Sequence, residues 1–128
     1  MIVLDTHAWI WWVAESKQLS AAARKAITNA DTIGIHPISC WEIAMLVEKN
    51  RLVLNCDVEQ WVATALRMRG VTVVDLTSTA AVLAARLPGV FHGDPADRLI
   101  VASCLNLKVP LVTKDTHIRR WRRIETIW

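Results

Sequence analysis

The sequence predicts a three-layer α/β sandwich, with a central, mainly parallel β-sheet flanked by helices on both faces. Two observations lead there. Short β-branched runs alternate along the whole chain with stretches of helical periodicity. Strands separated by helices need crossover connections, which place the strands parallel and cover both faces of the sheet. The chain is also 128 residues long, 53% hydrophobic, with only four Gly and four Pro. That is enough apolar material for one core and too little linker for two, so residues 1–128 read as a single domain.

The elements follow in order. Ile2-Val3-Leu4 is a short buried strand. Helical stretches are expected over Trp9–Glu15 and Ser20–Asn29, the second with Ser20 as N-cap. Thr32–His36 is the next strand, and Ser39 opens a helix to about Asn50, with Trp41, Ala44, Met45 and Glu48 at helical spacing. A second amphipathic helix runs from Asp57 to Arg69 and stops at Gly70. Val71–Leu76 is a strand, and Ser78 to Leu87 a helix ended by Pro88. After a loop from Gly89 to Gly93, Asp94-Pro95 starts a helix to Leu107. Val109–Thr113 is a strand, and a short helix and a last strand near Thr126–Trp128 complete the chain.

Composition removes several classes of function. A charged fraction of 21% argues against disorder. No apolar run approaches the ~18 residues of a membrane span. Asp5 interrupts the opening apolar residues where a signal peptide would continue, so a cytoplasmic protein is expected. Cys40, Cys56 and Cys104 are odd in number, far apart and without C-x-x-C spacing, which reads as free thiols in a reducing compartment. The net charge is only +3, yet of the 12 acids, committing four to a cation leaves eight against 15 bases. Arg119-Arg120-Trp121-Arg122-Arg123 concentrates four of those bases.

The acids carry the chemistry. In a parallel sheet, ligands gather outside the carboxyl ends of the strands. Asp5 ends the first strand, Asp115 lies just beyond Thr113, and Glu42 and the pair Asp94 and Asp97 lie near helix starts. Each has a structural alternative. Ser39-x-x-Glu42 has the form of a capping box, Asp94-Pro95-Ala96-Asp97 is a well-formed helix start, and Asp5 and Asp115 fit caps or turns. Together they are harder to explain that way, since carboxylates ~6 Å apart repel by about 3 kcal/mol per pair at an effective dielectric of 20. A hard divalent ion such as Mg²⁺ or Mn²⁺ relieves that repulsion, and all-oxygen ligands suit it.

The same residues resemble a family. Ile2-Val3-Leu4-Asp5-Thr6-His7-Ala8-Trp9 resembles the opening of PIN-domain proteins, most closely the VapC toxins of type II toxin–antitoxin pairs. Ser39-Cys40-Trp41-Glu42 looks like the second motif of that family, His92-Gly93-Asp94-Pro95-Ala96-Asp97-Arg98-Leu99-Ile100 the third and Leu111-Val112-Thr113-Lys114-Asp115 the fourth, with Ile127-Trp128 also familiar. The resemblance implies a Mg²⁺- or Mn²⁺-dependent endoribonuclease restrained by a cognate antitoxin protein. Carried over residue by residue, Asp5, Glu42, Asp97 and Asp115 match the acidic set, and Thr6 and Thr113 the hydroxyls that support it. Asp94 falls to capping or support, with Asp97 as the primary ligand.

Water as nucleophile then implies 5′-phosphate and 3′-hydroxyl ends, with Glu42 holding a second ion or taking the water's proton. Arg98, Arg119, Arg120, Arg122 and Arg123 are candidates for RNA phosphate contacts, with pairing to an acid the plainer reading of Arg98. His7 and His92 read as structural or supporting residues. Core packing accounts for most of Trp9, Trp12, Trp41 and Met45, and the remainder is expected to serve an antitoxin segment or a homodimer contact. Two rivals are weaker. A phosphatase would show Asp-x-Asp where Asp5-Thr6-His7 stands, and a non-catalytic RNA- or protein-binding module gains nothing from clustered acids.

Overall fold

The computed structural model describes all 128 residues. β1 (Ile2–Leu4), β2 (Ile33–Ile35), β3 (Val71–Val73), β4 (Leu111–Val112) and β5 (Thr126–Ile127) form one sheet in the order β3-β2-β1-β4-β5, every pair parallel. The crossovers are α1 (Thr6–Val13) and α2 (Ala21–Asn29), α3 (Pro37–Glu48) and α4 (Val58–Leu66), α5 (Ser78–Ala85) and α6 (Pro95–Leu107), and α7 (Thr116–Trp121). None of these helices is long and apolar enough to cross a membrane.

Alternation along the strands divides the core in two. Ile2, Leu4, Ile33, Ile35 and Val112 face α1 to α4, where they meet Trp9, Ile27, Ile43 and Ala65. Val3 and Leu111 face the other way, against Ala84, Ile100, Val101, Cys104 and Ile118 from α5, α6 and α7. These are the outer layers of the expected sandwich. Gly34 is needed on the second face, since a Cβ there would lie 2.7 Å from Val74 Cγ2 and 3.1 Å from Val3 Cγ2.

Two helices begin earlier than the sequence indicates. α1 starts at Thr6, because Asp5 itself is the cap. α3 starts at Pro37, with His36 as N-cap through Nδ1, which accepts from Ile38 N at 3.1 Å. Ser39 is therefore inside the helix and Glu42 in its second turn, so the capping box is not formed. His36 is fully buried, its Nε2 lies 3.1 Å from Ser103 Oγ on α6, and burial pushes the ring down to about 4. The three cysteines are free, and Trp9 is buried edge-on to Trp61 while Trp41 is 56% exposed.

From β1 the chain adds β2 and β3 on one side, then returns to place β4 and β5 on the other. The connections leaving β1 and β4 thus diverge. In an open α/β sheet the crevice opens between two such strands, at their carboxyl ends.

Candidate active site

Asp5 follows β1 and Asp115 follows β4, so both stand at the mouth of that crevice. Asp5 caps α1, with Oδ1 accepting from Ala8 N at 2.8 Å, while Oδ2 accepts from the Thr113 hydroxyl. Thr113 is fully buried, and its oxygen also accepts from Asp115 N at 3.0 Å. One hydroxyl therefore ties the two aspartates together across adjacent strands. Asp115 caps α7, with Oδ1 accepting from His117 N at 2.8 Å and Ile118 N at 3.0 Å.

Thr6 does the same on the other flank. Its buried hydroxyl donates to Glu42 Oε1 and lies 2.9 Å from Ser39 Oγ, coupling α1 to α3. Ser39, which fits both a capping box and the second motif, lies inside α3 and joins this hydroxyl pair. Its spacing from Glu42, one helical turn, was a signal for either role.

Asp94 and Asp97 approach from the start of α6. Asp94 caps it, with Oδ1 accepting from Asp97 N at 3.1 Å. Asp97 turns inward, where burial and then the charges of Asp94, Asp115, Glu42 and Asp5 push its carboxyl up to about 7. Burial also raises Asp5 and Glu42, against hydrogen bonds from the threonines that hold them down. All five acids line one cavity of about 630 Å³, together with Thr6, His7, Gln18, Lys114, Thr116 and a single apolar residue, Trp11. Lys114 Nζ lies 5.6 Å over the Trp11 ring. These acids are an oxygen-rich donor set under mutual repulsion, which fits a hard divalent cation. A ring nitrogen of His92 joins Asp97 and Asp115 within 4.8 Å.

The basic residues separate into three groups. Arg119, Arg120 and Arg122 line a polar recess of about 400 Å³, which meets the acidic cavity at Thr116. Arg123 points elsewhere, beside Gly89 and Trp121. Arg98 neither pairs with an acid nor faces the cavity. Its guanidinium donates to the carbonyls of Ala84 (2.8 Å), Ala85 (3.4 Å), Phe91 (3.2 Å) and His92 (3.1 Å), using it as a clamp on the loop before α6.

Comparison with known proteins agrees with this architecture. The PIN domain family matches residues 2–124. The chain is 40% identical over 129 residues to ribonuclease VapC22 of Mycobacterium tuberculosis, covering 99% of this chain and 98% of that one. Among solved structures it resembles VapBC2 from Rickettsia felis bound to a promoter DNA fragment, with TM-score 0.69 at 18% identity over 98% and 97% of the two chains. It also resembles a toxin–antitoxin complex from Klebsiella pneumoniae, with TM-score 0.62 at 17% identity over 91% and 88%. The fold, the ordered acidic set and the near-full-length identity give one conclusion: the chain belongs to the PIN domain family, and within it to the VapC proteins.

Proposed function

We propose that this chain is a metal-dependent endoribonuclease, the toxin of a toxin–antitoxin pair, restrained by a cognate antitoxin. The observation that carries the reading is the single cavity in which Asp5, Glu42, Asp97 and Asp115 converge from four segments, three of them raised by burial and mutual repulsion. Four carboxylates kept at such a cost are best explained by a cation that removes it. The VapC relative named a ribonuclease supplies the substrate class.

Asp5, Asp97 and Asp115 would hold Mg²⁺ or Mn²⁺, with Glu42 holding a second ion or accepting the proton of the attacking water. The ion supplies activation of water and neutralisation of phosphate charge. Thr113 and Thr6 fix the carboxylates in register. Arg119, Arg120 and Arg122 offer charge to the phosphates flanking the scissile one, at the end of the cavity marked by Thr116. Clustered acids distinguish this reading from a non-catalytic RNA-binding module. Exposed Trp41 on α3 is the natural place for a contact with a second copy or an antitoxin segment. The three free thiols suit the reducing cytoplasm.

The test is cleavage of total cellular RNA by partner-free protein with Mg²⁺ or Mn²⁺, with EDTA, and with Asp5→Ala. Discrete fragments that need both metal and Asp5, with 5′-phosphate and 3′-hydroxyl ends, are the expected result. Folded, partner-free protein that leaves RNA intact in the presence of metal, or 2′,3′-cyclic phosphate ends, would overturn it.

A further inference from the structure

The loop between α5 and α6 is held from both sides. Arg98 Nη1 grips the carbonyls of Phe91 and His92 from below. The Phe91 ring stacks on His92 with centroids 4.6 Å apart and meets Trp121 edge-on at 5.0 Å, while Trp121 Nε1 donates to Pro88 O at 3.0 Å. The side chain this scaffold presents to the acids is His92. Its Nδ1 accepts from Asp94 N at 3.3 Å, which in the neutral ring leaves the proton on Nε2. That Nε2 is closed off from solvent with no well-aligned acceptor, and its nearest carboxylate oxygen is Asp97 Oδ2 at 3.3 Å.

We propose that His92 is a positioning residue of the metal centre, whose Nε2–H fixes the Asp97 carboxylate through Oδ2 and leaves Oδ1 for the cation. The inference rests on the metal-dependent reading above and adds a residue to it. The chain already contains the finished form of this device. At His36, Nδ1 likewise accepts a backbone N–H two residues on, and Nε2 reaches a side-chain oxygen at 3.1 Å. A donor on the carboxylate restricts its rotation and orients its lone pairs, and removal of such outer partners lowers metal affinity about 10–100-fold. Direct ligation by Nε2 is the competing arrangement. It would require the proton on Nδ1, which would then confront the Asp94 N–H, donor against donor.

Two substitutions separate the ring nitrogens. In His92→Gln the amide nitrogen stands near the position of Nε2, and in His92→Asn the side chain reaches only as far as Nδ1. The measurement is Mn²⁺ affinity of the full chain by titration calorimetry, with the RNA cleavage rate alongside. We expect H92Q to stay within about threefold of wild type and H92N to lose about 10–100-fold in affinity. Wild-type affinity in H92N, or equal losses in both variants, would overturn the proposal, since neither outcome needs an Nε2 donor. Pulsed EPR of Mn²⁺ on the wild-type protein needs no variant. A ¹⁴N coupling of the size of a directly bound imidazole, lost in H92Q, would make His92 a ligand and overturn positioning. Wild-type protein that binds no Mn²⁺ defeats the metal-dependent reading itself, whereas bound Mn²⁺ indifferent to both variants defeats only the role of His92.

Discussion

His36 and His92 share a local geometry and differ in everything around it. Each ring accepts a backbone N–H two residues along, and each directs Nε2 toward α6. His36 is fully buried and its partner is the Ser103 hydroxyl. Its bonds are complete, and burial holds it neutral by pushing it down to about 4. His92 is partly exposed, faces carboxylates, and its Nε2 lacks a well-aligned partner. A satisfied buried histidine latches β2 to α6 and serves packing. An incompletely satisfied one, held rigidly beside carboxylates that repel one another, marks the place where something else is meant to bind.

The contrast is open to disruption at four points. The largest effect is expected at the acceptor that His92 faces. Asp97→Asn should lower RNA cleavage by about 10³-fold, equivalent to ~4 kcal/mol of barrier. On that background His92→Asn should change little further, because the carboxylate it orients for the cation has gone; additive losses in Mn²⁺ affinity would separate the two residues. Next, His36→Ala should cost about 3 kcal/mol in urea unfolding through a cavity and two orphaned partners. Mn²⁺ affinity should be retained, whereas His92→Ala should cost under about 1 kcal/mol of stability.

The third point is pH, measured on unfolding in EDTA. His36 titrates lower in the folded state than in the unfolded one, so its contribution is present above pH ~6.5 and lost as pH falls toward about 4. Asp97 titrates higher when folded, about 7, so its contribution is present below pH ~3.8 and lost as pH rises through 7. Asp5 and Glu42, also raised, act in the same sense as Asp97. The two regions therefore oppose each other across the acid range. Asp97→Asn should leave His36 less opposed and steepen the acid loss by on the order of 2 kcal/mol between pH 6.5 and 4. An unchanged slope would show that Asp97 does not titrate there. The smallest effect is Ser103→Ala, which should cost about 1 kcal/mol and leave cleavage unchanged.

The two histidines also show what a sequence can disclose. The parallel sheet was legible because β-branched runs and helical periods alternate, and the aspartates were legible because each follows a strand or lies at a helix start, whereas Glu42 lies in the second turn of α3. The start of α3 was not, since histidine lacks the strong capping preference of Ser, Thr, Asp or Asn; Pro37 at the first helical position was the one usable signal. The spacing of Ser39 and Glu42 fits a capping box, yet the partner that claims both, Thr6, lies more than thirty residues earlier. Arg98 was equally opaque, because attachment to four carbonyls depends on the path of a loop and leaves no pattern in side-chain type.

The capping role of the aspartates has a consequence for coordination chemistry. Asp5, Asp94 and Asp115 each commit Oδ1 to backbone N–H groups of their own helix. Each such oxygen has at least one lone pair already engaged, so symmetric chelation through both oxygens competes with the helix start. A cation held by Asp5 and Asp115 would meet single oxygens from these two and keep part of its water shell. Mg²⁺ accepts such an arrangement, whereas Ca²⁺, which seeks six to eight oxygens and often bidentate carboxylates, would be left underfilled. In the metal centre proposed above, discrimination between the two ions would then follow in part from how the helices begin.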